Sequence, residues 1–179
     1  MSSKKYVIDL FSGNGINELV AACKDKKQWL EEKTEELSRR LAEMGALYAE
    51  YGFEGALYSG EEDHTITVES VGDHTYKVKA NGTTVLFVEF GTGISSGYGH
   101  PEAGENQMGP GTYPGKGHWS DPRGWFYEVD DASIATKTSK RTGKSDVHTY
   151  GNPPAMPMYN AVKTLEQELE QTIREVFAE

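Results

Sequence analysis

Between Ile16 and Tyr51 apolar residues recur at alternating steps of four and three: Ile16, Val20, Cys23, Leu30, Leu37, Leu41, Met44, Tyr48 and Tyr51. Only Lys27 and Thr34 break the row, and the charges fall between its members. That spacing predicts one amphipathic helix, bent near Lys24–Lys27 where the stripe turns polar. A stripe of this length has to be covered, so a sheet or a neighbouring subunit is expected against it, with coiled-coil pairing as the alternative. Cys23 lies on the stripe, which predicts a buried, inert thiol. Because it is the sole cysteine, no intramolecular disulfide or multi-cysteine metal site is available.

A second stripe closes the chain. After "NPPAMP" (152–157), Tyr159, Val162, Leu165, Leu169, Ile173 and Val176 recur at helical spacing, and Pro157 suits a first helical turn. The segments between the helices read as strands. "TITVES" (65–70) and "TYKVKA" (75–80) alternate, and Asn81-Gly82 reads as a hairpin turn into "TTVLFVEF" (83–90), apolar on both faces. A short strand is also expected at 6–11, followed by a turn in which Ser12 and Asn14 are candidate helix caps. The fold class is therefore α+β: a small antiparallel sheet covered by a long N-terminal and a C-terminal helix. One domain over 1–179 is expected, large enough for a core.

Residues 91–154 read as an inserted loop. They are rich in glycine and hold every proline except Pro157, with a hairpin expected between 125–129 and 147–151. A loop this long is functional or disordered. Its aromatic residues, among them Tyr113, Trp119, Trp125 and Tyr150, argue for function.

The insertion opens with "LFVEFGTGISSGYG" (86–99), glycines after a strand, a pattern that also cradles phosphates. Phosphate sites of that type need a helix N-terminus after the glycines, and prolines and further glycines stand there instead. Backbone freedom for a chain leaving a sheet is the favoured reading. His100, His118 and His148 fall in the same region near several carboxylates, which opens one alternative: a metal-dependent hydrolase. Their separations lack the short spacing of a metalloprotease, and no nucleophile elbow accompanies any serine. "KTSKRTGK" (137–144) is the one basic cluster in a chain of formal net charge -10, suited to phosphate, to an acidic protein surface or to solvent. The overall charge offers nucleic acid and anionic lipid no general attraction. No signal-peptide pattern or bilayer-length apolar stretch is evident, so cytoplasmic synthesis and no membrane partner are expected.

"VLFVEFGTG" at the end of the predicted sheet, the glycine-rich excursion with "HPEAGE", "GTYPGKGHW" and "GWFY", and "HTYGNPPAMPMYNAV" opening the last helix resemble the tail-completion (neck, collar or minor tail) proteins of tailed phages and prophages. The likeness is closest at Phe87–Gly93 and Gly151–Ala161 and spans most of the chain. It implies an α+β subunit of a homo-oligomeric ring, commonly a hexamer, with no enzymatic activity and no cofactor. It also implies contacts with the tail tube or tail terminator on one side and with connector proteins on the other. DNA would be only passing cargo in the lumen, and the protein would end in the virion. The 94–150 insertion departs from shorter relatives. An assembly protein also needs exposed aromatic and apolar segments that its neighbours bury. The expected interface is Phe87, Phe90, Gly91, Gly93, Tyr98, Tyr113, Trp119, Trp125, Lys140, Arg141, Pro154 and Met156.

Overall fold

A computed structural model of the protein describes residues 13–56, 63–93, 99–108, 121–129, 132–139 and 143–178. The expected strand at 6–11, the cap at Ser12, and Tyr98, Tyr113, His118, Trp119, Lys140 and Arg141 lie outside the described residues. The elements run α1 (Gly13–Glu54), β1 (Thr65–Gly72), β2 (Thr75–Asn81), α2 (Val85–Phe90), β3 (Trp125–Val129), a 3-10 turn at Ala132–Ile134, β4 (Lys137–Thr138), β5 (Ser145–Thr149) and α3 (Pro157–Phe177). The fold is α+β with small antiparallel sheets. Asn14, proposed as a cap, lies inside α1.

α1 and α3 form the spine. They run antiparallel: Gly52 meets Pro157, Gly45 meets Leu165, Arg40 pairs with Glu175, and Trp29 packs edge-on against Phe177 at 5.7 Å. The glycines set the spacing. A Cβ on Gly52 would stand 2.7 Å from Pro157 Cβ, and one on Gly45 would stand 2.9 Å from Leu165 Cδ1. The core cluster of Phe53, Val85 and Val88 lies where the C-terminal end of α1 meets α2, with Ile66, Ala80 and Met158 packed on it.

β1 and β2 pair antiparallel in the register Thr65↔Asn81 to Ser70↔Tyr76. Their turn is Asp73-His74, with φ of 33° and 58°, the positive values a two-residue hairpin turn requires. Asn81-Gly82 is not a hairpin turn, which corrects the expectation above. Gly82, at φ 156°, instead lets the chain pass Asp63: a Cβ there would lie 1.9 Å from Asp63 O. The segment expected as a third strand at 83–90 is mostly helix α2. The reason is a cap remote in sequence. The Asp63 carboxylate accepts from the backbone N–H groups of Thr83 and Thr84, at 2.9 and 3.2 Å, and from both their hydroxyls. Satisfying these otherwise orphaned donors starts a helix where β propensity alone favours a strand.

The Thr83 hydroxyl and amide hold the Asp63 carboxyl down to about 2. A depressed carboxylate contributes stability above its unfolded value, and that contribution fades as pH falls toward the folded one. Asp63→Asn should therefore melt below the natural chain at pH 6, with the gap shrinking between about pH 4 and 2. A gap independent of pH in thermal melts would remove the charge from this explanation.

Losing the third strand has a consequence for the layers. Strands stand about 5 Å apart and packed helices 8–10 Å, so a two-stranded hairpin covers one helix. It covers α1. Both helices were expected on the sheet, but α3 leaves its Val162, Leu169 and Ile173 row 52%, 39% and 38% exposed. The stripe of α1 also outruns its partner: α1 has 42 residues and α3 has 21, about 63 Å against 32 Å. Toward its N-terminus the stripe is bare, with Ile16, Val20 and Leu30 near half exposed and Cys23 exposed rather than buried, and at its other end Tyr51 is exposed too.

Within the insertion, β3 pairs with β5 as expected, from Trp125↔Thr149 to Val129↔Ser145, and β4 adds to β5. The root of the insertion does not leave the domain. Gly91–Gly93 are buried, and residues 100–108 fold into turns beside α2.

Candidate functional site

Glu89 is the centre of the best-built polar site. It sits in the apolar run of α2, only 6% exposed, where a carboxylate has to find donors. It finds three. Its Oε2 accepts from the Met158 amide at 2.8 Å, and its Oε1 accepts from the Tyr159 amide and His100 Nε2, each at 3.0 Å.

Two of these donors are the N-terminus of α3. The residue ahead of the helix, Met156, has left-handed geometry (φ 57°) and offers no side-chain cap. Pro157 has no N–H, so Met158 and Tyr159 carry the first orphan donors, and Glu89 caps both from another element. A negative charge there also suits the helix dipole.

The third donor ties in the insertion. The Glu102 amide donates to His100 Nδ1 at 3.0 Å, which leaves the imidazole proton on Nε2 facing Glu89. The His100 ring packs against Phe90 at 4.5 Å and edge-on to Tyr159 at 5.2 Å. Both nitrogens of His100 and both oxygens of Glu89 are engaged, so the pair acts as a clasp and presents no base or ligand to solvent.

Around the clasp two backbone segments cross. Thr92 N–H donates to Asn152 O at 2.8 Å, Asn152 N–H to Thr92 Oγ1 at 3.0 Å, and Ala155 N–H to Val88 O at 2.9 Å. The crossing needs glycine on both sides. A Cβ on Gly93 would meet Tyr150 O at 2.2 Å, one on Gly91 would meet Asn152 O at 2.7 Å, and one on Gly151 would meet Thr92 O at 1.9 Å. All three also have positive φ. Gly91 and Gly93 thus serve the crossing of two segments rather than a phosphate cradle. They form one side of a joint.

Of the expected interface residues, Phe90, Gly91, Gly93, Trp125 and Pro154 are buried within the chain, and Phe87 and Met156 are half-buried. His148 accompanies Phe126 and Tyr150 on the β3–β5 sheet, its Nε2 3.0 Å from Arg123 O. Among the described residues no three His, Cys, Asp or Glu side chains are grouped to hold a metal ion, and no helix is long and apolar enough to cross a membrane. Sequence reasoning missed Glu89 and Asp63. The legible signal for Glu89 was an acid inside "VLFVEF", a charge needing a partner. No protein family, curated protein or solved structure matches the chain in comparison.

Proposed function

We propose that the chain is a structural component of a tailed phage or phage-tail-like particle, forming a ring at the head–tail junction or the head-proximal end of the tail. One observation carries the reading. The two segments on which the resemblance rests, Phe87–Gly93 and Gly151–Ala161, are the two halves of a single joint. Each motif is loose alone, but in the joint they have one physical cause: glycines for the crossing, an acid for the helix cap, and proline ahead of that cap.

The bare stripes of α1 and α3 support the same reading, since assembly proteins bury such surfaces between subunits. In this role the protein catalyses nothing and takes no cofactor. It stacks on a tail tube or terminator and on connector proteins, and resides in the virion after assembly in the host cytoplasm. Its formal charge of -10 suits a channel through which DNA passes unheld. Native mass spectrometry of the full chain tests the reading, with closed rings, six copies by the resemblance, as the expected result. A chain that stays monomeric at every attainable concentration, alone and with tail-tube protein, overturns it.

A further inference from the structure

The hydrogen bonds of His100 suit only a neutral imidazole. Its side chain is 2% exposed and that of Glu89 8%, so neither has solvent to turn to. A neutral ring has one N–H and one lone pair, and the joint uses each once. Nε2–H donates to Glu89, and Nδ1 accepts from the Glu102 amide. Phe90 at 4.5 Å and Tyr159 edge-on at 5.2 Å pack the ring in place.

A second proton treats the two sides of this ring differently. An imidazolium carries N–H at both nitrogens. On the Nε2 side the bond to Glu89 becomes charge-assisted and gains strength. On the Nδ1 side a donor then faces a donor, because the Glu102 amide points at the same nitrogen from 3.0 Å. Turning the ring over changes nothing, since the amide needs a lone pair and the imidazolium has none to offer. The backbone has to give, and the backbone in question is the set of turns over 100–108. Those turns hang on His100: Ala103 N–H donates to His100 O at 3.0 Å, and Met108 N–H to Ala103 O at 2.7 Å. Their other residues are mostly exposed, with Ala103 alone buried beside His100.

We propose that His100 is a pH-sensitive latch on the root of the insertion. Protonated, it keeps its grip on Glu89 and lets go of the turns over 100–108. The charged groups around the ring do not cancel this effect. α2 presents Glu89, whose oxygens already take three donors. α3 presents Tyr159 and, a turn further on, Lys163, whose ammonium pairs with Glu166 at 2.8 Å. The turns carry Glu102 and Glu105, both exposed, and a carboxylate swinging in from either must still displace the Glu102 amide from Nδ1. The crossing segments 91–93 and 151–155 hold no titratable side chain. The latch is a property of the single chain, so it stands apart from the reading of the protein as a ring component.

Hydrogen exchange and nitrogen NMR of the imidazoles test the latch on the full natural chain between pH 8 and 5, the span in which imidazoles change charge. With the ordinary pH dependence of amide exchange divided out, Ala103 and Met108 should exchange about tenfold faster, or more, at pH 5 than at pH 8. The Glu102 amide signal should move together with the His100 ring signals, while Met158 and Tyr159 keep their protection. His100→Asn offers the Glu102 amide an oxygen in place of Nδ1 and has no proton to gain. Whatever its baseline, its corrected exchange at Ala103 and Met108 should be the same at both pH values. A His100 ring that gains its proton while Ala103 and Met108 stay protected overturns the proposal, as does a ring that stays neutral down to pH 5. An acid response that persists in His100→Asn overturns it too. Protection lost first at Met158 and Tyr159 assigns the proton to Glu89 instead, and likewise overturns it.

Discussion

Gly151→Ala is expected to destabilise the protein by about 4 kcal/mol or more, read as a lowered urea midpoint with little change in slope. Two effects combine. Gly151 sits at φ 100°, a backbone region that costs an L-residue about 1–3 kcal/mol. Its new Cβ would also stand 1.9 Å from Thr92 O, 2.5 Å from Thr92 C and 2.8 Å from Gly93 Cα. These are backbone atoms, and they cannot rotate away. Relief requires the segments to separate, which breaks the paired hydrogen bonds between Thr92 and Asn152. Gly143 supplies the control, because it shares a positive φ of 72° but has nothing within 4 Å of its Cβ position. Gly143→Ala should cost only the conformational part, about 1 kcal/mol. If the two substitutions cost the same, the close crossing is not what demands glycine at Gly151.

The contrast between these glycines explains how much of the molecule was legible in the sequence. Periodicity exposed α1, α3, β1, β2 and the β3–β5 pair, because each has an apolar pattern set by its own period. It failed where a remote residue decides. "TTVLFVEF" has strand composition, yet Asp63, twenty residues upstream of Thr83, caps it into a helix. Asn81-Gly82 and Asp73-His74 both satisfy a two-residue turn, and only the pairing of β1 with β2 selects the second. Cys23 lies on the apolar stripe, but the buried residues of α1, Ala42, Ala49 and Phe53, are offset from that row, and periodicity does not reveal that α3 stops short of Cys23. The joint was half legible. Its glycines and its proline stood out as motifs, whereas the purpose of each depends on the other segment, which lies some sixty residues away.

Glu89→Ala should be comparably severe, for electrostatic rather than steric reasons. The substitution leaves the Met158 and Tyr159 amides and His100 Nε2–H without their acceptor in a buried place. Unsatisfied buried donors cost about 1–3 kcal/mol each, so a loss of about 3–5 kcal/mol is expected once some relaxation is allowed. Glu89→Gln keeps the shape and one oxygen but turns an amide N–H₂ toward a donor, and should lose roughly half as much. Global stability alone would not separate a clasp from an ordinary core residue, so the location of the damage matters. Hydrogen exchange should quicken first at Met158 and Tyr159, the start of α3, and then through Ala103 and Met108, whose turns are tied to the chain at His100. The middle of α3, held against α1 by Leu165 and Tyr48, should keep its protection. Exchange that rises uniformly along α3, or a loss no larger than that of exposed Glu166→Ala, would mean that Glu89 does not fasten the joint. A confined response would show that one carboxylate holds together the helix start and the root of the insertion.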